Sequence, residues 1–202
     1  MGGVEAVLLR GGVMSEPYLD LRLGELLESV IERGGPGAGS IAALSAASAA
    51  ALVELAARAT ELEQWPEAAG AAAQARRLRE RLVPLAREDA EAYQAAVAQL
   101  QEHDDDFALG EALARAADIP LEIADHAENV SALAAEAAAH ANPDLRADAA
   151  AAAALALGAA WAAAKLVEVN LAMHSEDARL ARARQIAAGA TRTAREALTV
   201  DE

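Results

Sequence analysis

Two stretches of this chain combine residue types in ways that could do chemistry. Gly34-Gly35-Pro36-Gly37-Ala38-Gly39-Ser40 separates two helical patterns. Glycines there let a ligand approach the main chain closely. Ser40 is of the type that caps a helix N-terminus, and the free N–H groups of the following turn would favour a carbonyl oxygen or an anion. The same residues also suit an ordinary helix–helix turn, and the loop alone leaves both readings open. The second stretch is Glu88-Asp89-Ala90-Glu91-Ala92-Tyr93, where Asp89 and Tyr93 stand four apart and share one helix face.

A third stretch invites a metal reading that fails. Glu102-His103-Asp104-Asp105-Asp106 groups a histidine with acids, but consecutive side chains diverge and no EF-hand spacing is present. It reads as a solvated cap for a helix starting near Phe107. His126, His140 and His174 each stand alone, as surface or hydrogen-bonded histidines do. Cysteine is absent, so disulfides and thiolate metal sites are excluded. No metal site is expected.

The elements that position these residues follow from period and breakers. Leu19 to Arg33 reads as a first helix, with Leu23, Leu26, Leu27, Val30 and Ile31 at helical spacing. Ile41 to Glu63 follows the loop, with Ala42, Ala46 and Ala50 as a small-residue stripe that admits a close neighbour. Pro66 opens a helix reaching about Gln101, which Pro84 kinks or breaks. Phe107 to Ala117 is short and stops at Asp118-Ile119-Pro120. Leu121 to His140 comes next, then an Asn142-Pro143-Asp144 turn. Leu145 to Met173 is long, with a second small-residue ridge at Ala150, Ala154, Gly158 and Ala162. Ser175 is placed to cap a last helix reaching about Leu198. No segment shows strand alternation or a hairpin turn. The expectation is an all-α, up-and-down-type bundle of about seven helices, spanning residues 19–202 behind a flexible extension at 1–18.

Composition narrows the function classes. The chain has 202 residues and is 54% hydrophobic but only 2% aromatic, with alanine dominant. Alanine favours helix but buries little surface per residue, so helices should pack closely and protomers should associate into an oligomer that hides more surface. The formal charge is −15, which argues against nucleic acid and against an anionic membrane surface. The uncharged run Ala149 to Ala164 is short for a bilayer span and reads as a buried helix. The N-terminal residues lack a signal-peptide pattern, and a cytoplasmic location is expected.

In order along the chain, these motifs resemble the cyclodeaminase/cyclohydrolase family, which includes the C-terminal domain of formiminotransferase-cyclodeaminase and stand-alone methenyltetrahydrofolate cyclohydrolases. Pro36-Gly37-Ala38-Gly39-Ser40 matches a Pro-Gly-Gly-Gly-Ser hallmark that opens an alanine-rich helix ending at Ala59-Thr60. Asp89 to Tyr93 matches an Asp-Ala-Glu-Ala-Tyr/Phe motif. Ile119-Pro120-Leu121 matches Val-Pro-Leu, and Ala141-Asn142 with Ala147-Asp148 matches a Gly-Asn turn followed by Ser-Asp. Leu166-Val167-Glu168-Val169-Asn170-Leu171 matches a closing Asn-Val-x-Ile-Asn-Leu. The chain departs from the pattern at Ala38, Ala147, Leu166 and Glu54, mostly by replacing polar or glycine positions.

The resemblance implies a tetrahydrofolate substrate and no cofactor beyond it. It implies either hydrolysis of 5,10-methenyltetrahydrofolate to the 10-formyl form, or cyclisation of 5-formiminotetrahydrofolate with release of ammonia. The lack of a formiminotransferase segment tilts the expectation toward hydrolysis. Both reactions pass through a tetrahedral carbon between two nitrogens and need proton transfer, which a carboxylate can provide. Asp148 and Asp89 are the implied catalytic carboxylates. Their structural alternatives are a helix-dipole contact for Asp148 and an Arg partner for Asp89. Pro36, Gly37, Ala38, Gly39, Ser40, Tyr93, Asn142 and Asn170 are the implied substrate-binding residues. If Asp148 and Asn170 share one helix they stand roughly 30 Å apart, so a common site would lie between the subunits of the homodimer that the resemblance implies. The replacements at Ala38, Ala147 and Leu166 motivate a second expectation, a non-catalytic folate-binding or assembly homologue.

Overall fold

The computed structural model describes residues 18–32, 36–102 and 106–199. Residues 1–17 of the expected extension, Gly34, Gly35 and the His103-Asp104-Asp105 break lie outside them. Seven α-helices and no strand occur among the described residues: α1 (Leu23–Ile31), α2 (Ala38–Arg58), α3 (Ala68–Glu102), α4 (Asp106–Ala116), α5 (Asp118–His140), α6 (Arg146–Asn170) and α7 (Ala178–Leu198). Short 3-10 turns stand at Tyr18–Asp20 and Pro143–Leu145. The all-α expectation and the helix number agree with this.

The helices form two layers. α3, α5 and α7 make one, with α5 central, and α2 and α6 pack side by side across it. α4 packs chiefly on α3. The interface between layers is mostly alanine: Ala43, Ala46, Ala49 and Ala50 of α2 face Ala152, Ala153, Ala156 and Ala160 of α6 and Ala124, Ala127 and Ala134 of α5 in one buried cluster. Small side chains let the axes come close, and the few large buried groups, including Leu82, Leu85, Ile123 and Ile186, fill the remaining space.

Polar contacts fix the direction of the α2–α6 pair. The Thr60 hydroxyl donates to the Ala56 carbonyl at 2.7 Å and accepts the Asn142 N–H at 3.0 Å. Gln64 Nε2 donates to the Ala141 carbonyl at 3.1 Å. α2 therefore ends where α6 begins, and the two run antiparallel.

The two small-residue stripes have opposite fates. Ala42, Ala46 and Ala50 of α2 are buried, as their spacing suggested. On α6, Ala154, Gly158 and Ala162 face outward, and the packed face is Ala149, Ala152, Ala156 and Ala163. With Ala51 and Leu55 of α2 and Leu155 and Trp161 of α6, this ridge leaves a bare apolar surface on the two-helix layer. α2 and α6 are each long and apolar enough to cross a bilayer, yet their inner faces form the core of this bundle.

Several boundaries differ from expectation. α1 begins at Leu23, because Tyr18–Asp20 forms its own 3-10 turn. Ser40 does not cap α2; Gly37 holds that position and Ser40 lies inside the first turn. Pro84 does not end α3, which runs through it. Pro120 sits in the first turn of α5 rather than before it, where its missing N–H has no helical acceptor in any case. Asp177, not Ser175, caps α7, accepting the Arg179 N–H at 2.8 Å.

Candidate active site at the start of α2

The glycine loop and the acidic motif of α3 meet. α2 opens at Gly37, with Gly39 and Ser40 in its first turn, and Asp89 lies across it from α3. A Cβ built on Gly39 would fall 2.2 Å from Asp89 Oδ1 and 2.4 Å from Cγ and Oδ2. The carboxyl group thus lies directly on the glycine backbone. Alanine in place of glycine would favour the helix by about 1 kcal/mol, so the glycine here serves the close approach. Gly37 has open space where its Cβ would be, and Ala38 is exposed. The departure from glycine at Ala38 therefore leaves the Gly39–Asp89 contact intact.

Ser40 ties the two helices together. It is fully buried, and its hydroxyl donates to the Ala86 carbonyl on α3 at 2.8 Å. Ala86 is one turn before Asp89, so this bond sets the height of the acid over the start of α2. The Ser40 N–H and hydroxyl also act on the Asp89 carboxyl, favouring its ionised form. Burial opposes them and wins, and the Asp89 pKa is pushed up to about 6. A carboxyl poised there, at a helix N-terminus, exchanges protons readily near neutral pH. The Arg partner considered for Asp89 goes to its neighbour instead: Arg81 pairs with Glu88 at 2.6 Å and with Glu122 at 2.7 Å.

The other expected residues divide between the two ends of the bundle. Pro36 is buried beside the loop, and Tyr93 stands one turn beyond Asp89 with its ring about half exposed. Asn170 is the last residue of α6, and the antiparallel α2–α6 pairing carries it toward the end where α2 starts. Asn142 and Asp148 lie at the opposite end. Asn142 accepts the Asp144 N–H at 3.1 Å and shapes the turn. Asp148 is half-buried in the first turn of α6, where the helix dipole favours an acid. Some 20 residues of α2 separate this end from Ser40, roughly 30 Å. A single protomer brings Gly39, Ser40 and Asp89 together and leaves Asp148 and Asn142 apart from them. The Ala86 carbonyl was not foreseen, because a helix-interior alanine carries no side-chain signal for it.

Comparison with known proteins bears on the family and the fold. The sequence profile described as formiminotransferase-cyclodeaminase matches residues 23–188. The fold is similar to the crystal structure of formiminotetrahydrofolate cyclodeaminase from Thermotoga maritima, with a TM-score of 0.82 at 23% identity, covering 91% of this chain and 97% of that one. Among curated proteins, none matches this sequence.

Proposed function

The chain belongs to the formiminotransferase-cyclodeaminase family, and from that premise we propose that it is a folate one-carbon enzyme. It hydrolyses 5,10-methenyltetrahydrofolate to 10-formyltetrahydrofolate, or it cyclises 5-formiminotetrahydrofolate with loss of ammonia. The observation that carries this reading is the half-buried Asp89 carboxyl, packed against Gly39 with its pKa pushed up to about 6. In the hydrolysis, water adds to the methenyl carbon and gives up a proton. The carbon–N5 bond then breaks, and N5 takes a proton as the 10-formyl product forms. In the cyclisation, N10 attacks the formimino carbon, loses its proton, and the departing nitrogen leaves as ammonia after gaining protons. Either sequence needs one group that accepts and returns a proton at the same carbon, and Asp89 suits it. Ionised, it also stabilises an amidinium-like cation.

The active unit in this reading is a homodimer. The bare apolar face of α2 and α6 is the surface that a second copy covers, and a closed pair uses the same patch twice. A two-fold axis through that face, set across the helices, brings Asp148 and Asn142 of one protomer toward the Gly37–Ser40 turn of the other. Asp148 then helps bind the substrate from across the interface. Ala147 and Leu166 favour a second reading, a homologue that binds folate without turning it over.

The test is to mix the purified protein with 5,10-methenyltetrahydrofolate and follow its near-ultraviolet absorbance above the uncatalysed rate, with 5-formiminotetrahydrofolate as the parallel substrate. Turnover of either supports the enzyme. Saturable binding without turnover supports the second reading, and neither binding nor turnover rejects both.

A further inference from the structure

α1 is held at both ends and bare between them. Leu19, in the turn before it, packs against the main core, and Pro36, just before α2, is buried. Ser29 is buried and Leu26 half-buried, so that flank faces the chain itself. Leu23, Leu27 and Ile31 do not, being 71%, 59% and 81% exposed, with Val30 beside them. They recur every third or fourth residue and form one apolar stripe. Glu25, Glu28 and Glu32 share the polar side, all exposed. Among the described residues, α1 packs mainly on the Tyr18–Asp20 turn and little on the rest of the bundle. Contiguous large apolar side chains of this kind mark a contact surface.

We propose that α1 docks on a second copy of this chain, across the end where that copy's α2 stops and its α6 starts, with Glu28 meeting Arg146 of the partner subunit. The inference rests on the homodimer reading given above. Position is the first reason. Only residues 32–37 join α1 to α2, and six residues span at most about 20 Å, so α1 stays beside the start of α2. The two-fold axis that sets the α2 start of one protomer against the α6 start of the other delivers α1 to the same place. The bare face there includes Leu55 and Leu155, which gives the stripe a surface to cover. Charge is the second reason. The Arg146 Nε is buried without a hydrogen-bond partner, and its side chain pairs with no acid among the described residues. Arg58, at the same end, is 72% exposed and pairs loosely with Glu54 at 3.4 Å. Glu28 flanks the α1 stripe, so an acid arrives where these guanidinium groups stand. A lipid surface fits less well, because a helix lying on a membrane carries Lys and Arg on its polar side and α1 carries acids there. Each protomer gives one α1 and receives one, so the contact closes on itself. It fixes the register that carries Asp148 to the partner's Gly37–Ser40 turn.

The experiment combines sedimentation equilibrium with a spin label on the full-length protein. The chain has no cysteine, so Gly24→Cys takes a single nitroxide at the edge of the stripe, where an added side chain enters open space. The label should be immobilised in the dimer and mobile when Leu155→Glu is added to make the monomer. Leu27→Glu and Ile31→Glu should each raise the dimer dissociation constant about tenfold or more, with helicity unchanged. Glu28→Arg and Arg146→Glu should each weaken the dimer, and the two together in one chain should restore it, the mark of a direct pair. If Leu155→Glu dissociates the dimer while Leu27→Glu and Ile31→Glu leave it intact and the label stays mobile, the docking is wrong and the homodimer reading stands. Failure of the paired charge variants to restore association also overturns the proposal. If the label is immobilised only on adding vesicles of phosphatidylcholine and phosphatidylglycerol, α1 is a lipid contact and the proposal falls. If the wild-type protein is monomeric at every concentration, both readings fall.

Discussion

The Asp89 carboxyl occupies the space that a side chain on Gly39 would need. That one relationship joins two stretches 50 residues apart and defines the acid's environment. It also separates glycines that look equivalent in the sequence. Gly39→Ala should displace the carboxyl and reduce kcat about a hundredfold, the usual cost of a misplacement near 1 Å. Gly37→Ala, which enters open space, should leave kcat nearly unchanged. Steady-state kinetics on the two variants checks the contrast.

Asp89 also makes stability depend on pH. Its folded-state pKa of about 6 lies above the usual Asp value because of burial, so folding takes up a proton. The resulting stabilisation is complete below about pH 4 and is lost as pH rises through about 6. Above that pH the ionised acid is a cost to the fold. Asp89→Asn should therefore be more stable than wild type at pH 7.5, with the difference shrinking toward pH 4.5. Urea unfolding at the two pH values measures it.

Ser40 is predicted to set the register between α2 and α3. Ser40→Ala removes the hydroxyl that reaches the Ala86 carbonyl and should cost about 1 kcal/mol. It also removes one of the two groups that favour ionised Asp89, the hydroxyl, while the N–H stays, so the Asp89 pKa should rise further. Unfolding free energy reports the first effect, and carboxyl titration by NMR the second.

Arg179 links the start of α7 to the junction of α4 and α5. Its pairing holds the Asp177 carboxyl down at about 2, so that contribution persists at neutral pH and is lost only as pH falls toward 2. Arg179→Ala should free the Ala114 carbonyl and Asp118 together. Hydrogen exchange in α4 and the start of α7 should quicken at least severalfold, while amides in the middle of α5 keep their protection.

The bare face of α2 and α6 is predicted to be the dimer interface. Leu155 is 43% exposed in the protomer, so Leu155→Glu should be tolerated by the isolated fold. In a dimer the same change buries an unpaired charge. Sedimentation equilibrium should show a wild-type dimer and a monomeric variant with unaltered helicity.

Particular residues show how much of this was legible in the chain. Helix number and order followed from breakers such as the glycine loop, Pro66 and Asn142-Pro143, whose local physics needs no tertiary context. The meeting of Asp89 with the loop was reachable only through the order of motifs, since no periodicity relates residues 39 and 89. The outward turn of Ala154, Gly158 and Ala162 was not legible. An alanine-rich helix is apolar on every side, so spacing cannot say which stripe faces inward. Capping at Ser40 and Ser175 failed for a different reason. The Ser40 hydroxyl is used by a carbonyl 46 residues away, and Asp177 offers a stronger acceptor two positions after Ser175.

The most direct test of the central claim is the pH–rate profile for 5,10-methenyltetrahydrofolate, taken above the uncatalysed background for wild type and Asp89→Asn. The account predicts a wild-type inflection near pH 6 and a fall of about a hundredfold or more in the variant, with the inflection gone. An Asp89→Asn protein that keeps the wild-type rate and profile would contradict it.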